Sequence, residues 1–336
     1  MSAERTARII VIVLAVGLPV AAVIAGKAQS VAGQTIELNG TMSEIGGWTP
    51  SDITAKAGEP IRLRLTSDDV IHGFAVGQSS LPALDVKPGE VTETTLIFDE
   101  PGKYTFYCTR WCGPNHWRMR GTIEVTSDQS VSYQLAVEQP LYLRLGIDID
   151  APHPADVIPG GAPSAGRGAA LGIAIPVEYL TTEFYRAHSP ADAWKRLRDE
   201  PFTQGLTDGQ VWDLVADVWR SNTTAQALET GKKLFAQNCA ACHGENGAGD
   251  GVMAESLTGE THSGDTLRER HDTKAPADFT DASSLLGASP ALLHGKIVRG
   301  GMGTGMPYWG PIFTEEQLWS VISYLWTFQF DLEGNG

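Results

Sequence analysis

Two closely spaced cysteine pairs constrain this chain more than any other feature. Residues 108–119 read CTRWCGPNHWRM and residues 239–243 read CAACH, and these four are all the cysteines in 336 residues. Four cysteines are too few for a disulfide framework in a chain of this length. Each pair instead stands beside an imidazole, and the first also stands beside a thioether. Soft sulfur donors with imidazole suit copper and iron cofactors better than hard cations. The chain is long enough for two or three domains. Its formal net charge of −15 makes a poor surface for phosphates, so no nucleic-acid partner is expected.

Hydropathy divides the chain. Ile9–Ala25 is an uncharged apolar run preceded by Arg5 and Arg8. It is at the short limit for a membrane span, and the basic residues would keep its N-terminal side in the cytoplasm. Residues 1–29 are therefore read as a transmembrane anchor with a short leader; a cleaved signal peptide is the other reading. Residues 30–128 alternate apolar and polar side chains in QTIELNG, DITAKAGEPIRLRLTS, VIHGFAVG, EVTETTLIF, GKYTFYC and RGTIEVTS. With KPGE and EPGK as turns, they predict an antiparallel all-β sandwich. Residues 129–177, rich in Pro, Gly and Ala, read as a linker. The rest is helical and repeats itself. SPADAWKRLRDE at 189–200 matches SPALLHGKIVRG at 289–300, and TDGQVWDLVADVW at 207–219 matches TEEQLWSVISYLW at 314–326. Residues 178–223 are thus read as one copy and 224–336 as another. The first copy lacks both C-x-x-C-H and a methionine loop, so it holds no haem by that route.

In the first constellation Cys108, Cys112, His116 and Met119 follow one another closely, and His72 lies upstream in DVIHGF. One cysteine, two histidines and a methionine would suit a single copper. The second cysteine allows two thiolates to bridge two coppers, with one imidazole on each, Met119 on one and a main-chain carbonyl on the other. A Cys108–Cys112 disulfide or a zinc site would leave part of the set unused. The pattern resembles the binuclear CuA site of cytochrome c oxidase subunit II, over about residues 34–126. That resemblance implies a cupredoxin fold and assigns the carbonyl to Arg110. Many members carry Glu there, a side chain that helps hold magnesium, which Arg110 cannot do. Trp111, between the two cysteines, is a candidate port for incoming electrons.

In the second constellation C-x-x-C-H is the attachment motif of c-type haem. Cys239 and Cys242 would bond the porphyrin and His243 would face the iron. The helix before it, the Gly-rich stretch after it and a closing aromatic helix resemble a class I cytochrome c over about residues 224–330. Gly231 and Tyr324 match positions where the first and last helices of that family cross. The distal ligand is expected to be Met306, in Met-Pro, with Met302 as the other candidate.

The two resemblances together imply the electron-transfer subunit of a haem-copper oxygen reductase. Covalent haem c would pass electrons to CuA and on to subunit I, which reduces oxygen with proton pumping. A soluble cytochrome c or another donor would supply them. The anchor would place both domains outside the cytoplasmic membrane of a prokaryote. The small subunit of a CuA-containing nitric oxide reductase and a stand-alone membrane-tethered carrier are the other readings. The loop 108–120 carries Arg110, Arg118 and Arg120 and no acid, whereas residues 225–336 are net −7, which suggests attraction between the two.

Overall fold

The computed structural model describes residues 34–79, 81–113, 116–127, 139–258, 275–301 and 305–332. Ile9–Ala25 lies outside them. Among the described residues no helix is long and apolar enough to cross a membrane. The described residues form two compact units, the first built almost entirely from those before 128 and the second from those after 138.

The first unit is all β. Its strands are β1 (Gln34–Gly40), β2 (Trp48–Thr49), β3 (Asp52–Lys56), β4 (Ile61–Ser67), β5 (His72–Val76), β6 (Leu84–Val86), β7 (Thr92–Leu96), β8 (Gly102–Tyr107) and β9 (Arg120–Thr126). One sheet runs β2-β1-β4-β7 and the other β3-β9-β8-β5-β6. Period-2 alternation explains the layers: β4 buries Ile61, Leu63 and Leu65 and turns Arg62 outward. Leu38, Phe74, Phe106 and Ile123 fill the core with no exposed surface. Trp48 packs on Phe74 and Phe106 with ring centroids 5.7 and 6.3 Å apart.

The sandwich corrects the expected one in two respects. It is not wholly antiparallel, since β1 pairs β4 and β3 pairs β9 in parallel. The window DITAKAGEPIRLRLTS is also two strands, not one, and its halves join different sheets. Pro60 cannot donate to a ladder, and the chain switches sheets across the turn before it.

The second unit is helical among its described residues. Its helices are α1 (Leu141–Arg144), α2 (Ala165–Ala170), α3 (Thr182–Ala187), α4 (Pro190–Asp199), α5 (Asp208–Ser221), α6 (Ala225–Asn238), α7 (Ala240–His243), α8 (Ala254–Thr258), α9 (Ala282–Leu285), α10 (Pro290–Arg299) and α11 (Glu315–Leu325). Here α1 and α2 occupy the stretch read as a linker.

The internal repeat extends to the caps and the contacts. Ser189 and Ser289 cap α4 and α10, each followed by a proline in the first turn. Thr207 with Gln210 and Thr314 with Gln317 form capping boxes on α5 and α11, each satisfying two otherwise orphaned N–H groups. In one copy α6 crosses α11 at Gly231, where a Cβ would lie 2.0 Å from Ser320 O and 2.8 Å from Tyr324 Cβ. In the other α2 crosses α5 at Gly168, where a Cβ would lie 2.2 Å from Asp213 O and 3.1 Å from Asp217 Cβ. Asp213 and Asp217 precede Ser320 and Tyr324 by the same interval that separates the two matched Trp helices. The copy without C-x-x-C-H thus keeps the helix crossing, and its first helix is α2. AGRGAA has no apolar period to announce a helix. It is held by the Ser164 cap and by Arg167, whose guanidinium nitrogens donate to both oxygens of Asp213 on α5 at 3.0 and 2.8 Å.

The two copies also meet each other. Trp219 of α5 packs edge-on against Trp326, its counterpart just after α11, with centroids 5.9 Å apart. Ser164 Oγ donates to Asp331 at 3.0 Å. Trp194 stacks on Trp212 in one copy, and His294 stacks on Trp319 at the matching positions of the other.

Candidate metal centres

Three adjacent strands bring the first constellation to one end of the five-stranded sheet. His72 opens β5, Cys108 follows β8 and Met119 precedes β9. The pairing Tyr107↔Arg120 ends the β8–β9 ladder, and just beyond it the Cys108 N–H donates to Met119 O at 3.0 Å. The sheet therefore aligns residues that the sequence separates.

The side chains converge. Donor atoms of His72, Cys108 and Cys112 all lie within 4.8 Å of one another, and all three residues are buried. Cys108 Sγ is 3.8 Å from Cys112 Sγ and 3.9 Å from His72 Nδ1. Cys112 Sγ is 3.8 Å from Met119 Sδ, and Met119 is buried. The Arg110 carbonyl oxygen lies 3.2 Å from Cys108 Sγ, so it faces the sulfur pair. His116 opens a short 3-10 turn, and its Nδ1 is buried without a hydrogen-bond partner. A buried imidazole nitrogen left unpaired is costly unless a ligand satisfies it. Trp111 is 44% exposed and meets His116 edge-on, with centroids 5.5 Å apart.

Asp69 orients the cluster. Its Oδ1 accepts from His72 Nε2 at 2.7 Å, which leaves Nδ1 facing Cys108. The carboxylate also accepts the N–H groups of Met42 and Val70, both at 2.6 Å. Burial opposes its charge, but these N–H groups and His72 hold the Asp69 carboxyl below its ordinary range. Burial also opposes charge on His72, yet Cys108 and Asp69 raise its pKa. The two thiols share their protons unequally. Cys112, with His116 and His72, favours the Cys108 thiolate against the cost of burial. The Cys108 charge then holds the proton on Cys112. Asp69 stands three residues before His72 inside DVIHGF, so its place was open to a reading of the motif, and its role as orienting carboxylate was missed.

The second constellation sits on one helical turn. Cys239 caps α6, and the N–H groups of Cys242 and His243 donate to its carbonyl at 3.1 and 2.9 Å. That turn sets both sulfurs and the ring on neighbouring positions. The thiols are free. Burial pushes Cys239 up to about 12 and Cys242 upward as well. His243 Nδ1 lies 3.0 Å from the Ala277 carbonyl, which can only accept, so Nδ1 carries the proton and Nε2 keeps a lone pair. Burial lowers the pKa of His243 and keeps it neutral, and Phe279 stacks on it with centroids 4.7 Å apart. The Gly-rich stretch folds back on this turn, with Gly249 and Gly251 donating to the His243 and Cys242 carbonyls at 2.9 and 3.1 Å. Met306 is half-buried in the loop between α10 and α11, where its carbonyl accepts from Gly301 at 3.1 Å. Met302 lies outside the described residues. Met253 is buried.

Both sites fit the groups that the motifs imply. The first offers thiols, imidazole nitrogens, a thioether and an inward carbonyl, which is a soft donor set with an orphaned nitrogen. The second offers two unpaired thiols and a neutral imidazole oriented by a carbonyl.

Known proteins resemble the chain in the same two places. Residues 49–126 match the family described as cytochrome c oxidase subunit II, periplasmic domain, and residues 228–329 match cytochrome c. Two curated proteins from Thermus thermophilus, both named cytochrome c oxidase subunit 2, are similar to the first of these stretches. Each is 40% identical over 79 residues, which is 24% of this chain and 58% and 46% of theirs. The chain spans about half the length of these curated relatives. The periplasmic domain of subunit II of cytochrome oxidase of Bradyrhizobium japonicum is 23% identical, covering 28% of this chain and 85% of that one, with a TM-score of 0.25. The chain thus joins a stretch similar to the cytochrome c oxidase subunit II family model to a stretch similar to the cytochrome c family model.

Proposed function

We propose that this chain is the electron-transfer subunit of a haem-copper oxygen reductase, taking electrons at haem c, passing them to a binuclear CuA centre and delivering them to subunit I, where oxygen is reduced to water with proton pumping. The observation that carries the reading is the convergence of His72, Cys108 and Cys112 within 4.8 Å, where β5, the end of β8 and the loop after it meet, in a chain that also bears C-x-x-C-H. Cys108 and Cys112 would bridge two coppers, with His72, His116, Met119 and the Arg110 carbonyl completing the set. Cys239 and Cys242 would hold the haem by thioether bonds, with His243 and Met306 on the iron. When bound, both groups carry single electrons, and a thiolate-bridged copper pair does so with little change of shape.

The chain's own residues make that exchange easy. Burial of Cys108, Cys112 and Met119 keeps water from the donors, and the ends of β8 and β9 hold Cys108 and Met119 rigidly. Asp69 holds a proton on His72 Nε2 and so presents Nδ1 to the metal. Phe279 and the Ala277 carbonyl do the same for His243. With these residues on the copper pair and with His243 and Met306 on the iron, neither group would keep a position for a substrate, and bond chemistry would fall to a partner subunit. Ile9–Ala25 would anchor the chain in the cytoplasmic membrane of a prokaryote with both domains outside it, and a soluble cytochrome c or another carrier would supply electrons.

Purification from native membranes tests the assignment. Copurification with a large haem-bearing subunit and oxygen uptake is expected. Nitric oxide uptake without oxygen uptake would move the chain to a nitric oxide reductase, and isolation alone would make it a tethered carrier. A second expectation concerns Asp69. Asp69→Ala frees the His72 ring and should lower copper affinity about 10–100-fold, with Asp69→Asn falling between it and wild type. Competition with a copper chelator measures both.

A further inference from the structure

Arg110 lies between the two cysteines, and its two ends do different things. Its carbonyl faces the thiols, 3.2 Å from Cys108 Sγ. Its guanidinium reaches β6, where Nε and a terminal nitrogen donate to the two oxygens of Asp85 at 2.6 and 2.7 Å. This two-pronged contact fixes direction as well as distance. The groups are 54% and 43% exposed, so the attraction alone contributes little. Its weight is geometric.

Asp85 is itself anchored. It pairs with Gly73 in the β5–β6 ladder, beside the pair His72↔Val86, and its carbonyl accepts from Thr92 Oγ1 at 2.9 Å. The cysteine turn also bears directly on Gly73. The Thr109 N–H donates to Gly73 O at 3.2 Å, and the Gly73 N–H donates to Cys108 Sγ at 3.4 Å. A Cβ at Gly73 would lie 2.0 Å from Thr109 Oγ1. One guanidinium therefore ties the thiol-bearing turn to the strand pair that carries His72.

We infer that Arg110 is a positioning residue for the copper centre: its clamp on Asp85 sets where the Arg110 carbonyl stands against the Cys108–Cys112 pair. The inference rests on the copper reading proposed above. It also gives the Arg110 side chain a partner within its own domain, so the guanidinium is already matched and is not a free docking charge.

The test uses the full-length chain loaded with haem and copper, with the haem midpoint potential as internal control. Arg110→Ala and Asp85→Ala change the local charge in opposite senses. A positioning clamp nevertheless predicts that both shift the copper midpoint potential in the same direction. Both should also release copper to a chelator about tenfold faster. Arg110→Lys keeps the charge but loses the fork, and it should behave like Arg110→Ala. The double alanine variant should be no worse than either single one, and the exchanged pair Arg110→Asp with Asp85→Arg should recover part of the wild-type behaviour. The haem potential should stay constant throughout. Opposite shifts in the two single variants would mark a through-space charge effect and overturn the inference, as would wild-type values in all of them. A wild-type chain that takes up no copper pair would overturn the copper reading and this inference together, and it is scored before any variant.

Discussion

Replacing Cys112 with Ser should leave the chain with at most one copper for each haem iron. Cys112 Sγ stands 3.8 Å from both Cys108 Sγ and Met119 Sδ, so in the proposed copper pair it would be a sulfur shared between the two metals. A serine hydroxyl is a harder donor and a poor bridge for copper. The change is nearly isosteric, and Cys112 lies in a loop packed against the sandwich core, so the fold should persist. Metal analysis against haem iron reads the result, and the haem content should not change. Two coppers retained in Cys112→Ser would refute a thiolate-bridged pair.

The second large effect is expected in the haem-less copy. Trp219→Ala should destabilise the helical unit by about 3–5 kcal/mol, the usual cost of emptying a large buried aromatic site. Trp219 is 1% exposed. It contacts Tyr185 of its own copy and both Trp326 and Phe330 of the copy with C-x-x-C-H, with centroids 5.6, 5.9 and 6.2 Å away. The cavity would open on the seam between the copies. The haem-bearing half should therefore lose stability with it, in one transition. Denaturation followed by haem absorbance and by far-ultraviolet circular dichroism distinguishes the cases. An unchanged haem midpoint would mean that the two copies fold independently. The haem-less copy would then be a module that the haem domain does not need. The expected result makes it half of a shared core, which would explain why a copy without C-x-x-C-H has the same capping box, glycine crossing and tryptophans.

Much of both sites was legible because their spacing is local. Cys108, Cys112, His116 and Met119 fall within a dozen residues, and C-x-x-C-H occupies one helical turn. Such patterns state their chemistry before any fold is known. The caps of α4, α5, α10 and α11 are local too, since a Ser or Thr hydroxyl reaches only an N–H two or three positions on. The internal repeat could be read from them for the same reason. The meeting of α2 with α5 was not legible, because AGRGAA becomes a helix through Asp213, more than forty residues away. The division of DITAKAGEPIRLRLTS between two sheets also escaped the pattern. Alternation marks which face of a strand is buried but not which neighbour it pairs with.

The order of the residues alone settled the chemistry: two thiols with imidazole and thioether, two thiols with one imidazole, and an apolar core alternating beneath the first. Residue types and short spacings carry that information, because donor softness and helical or strand periods act over a few positions. The fold settled the geometry. The β5–β8–β9 neighbourhood brought His72 to cysteines more than thirty positions later, Asp69 turned its ring, and Asp85 took hold of Arg110. Long-range pairing makes those contacts, and each depends on which strand lies beside which.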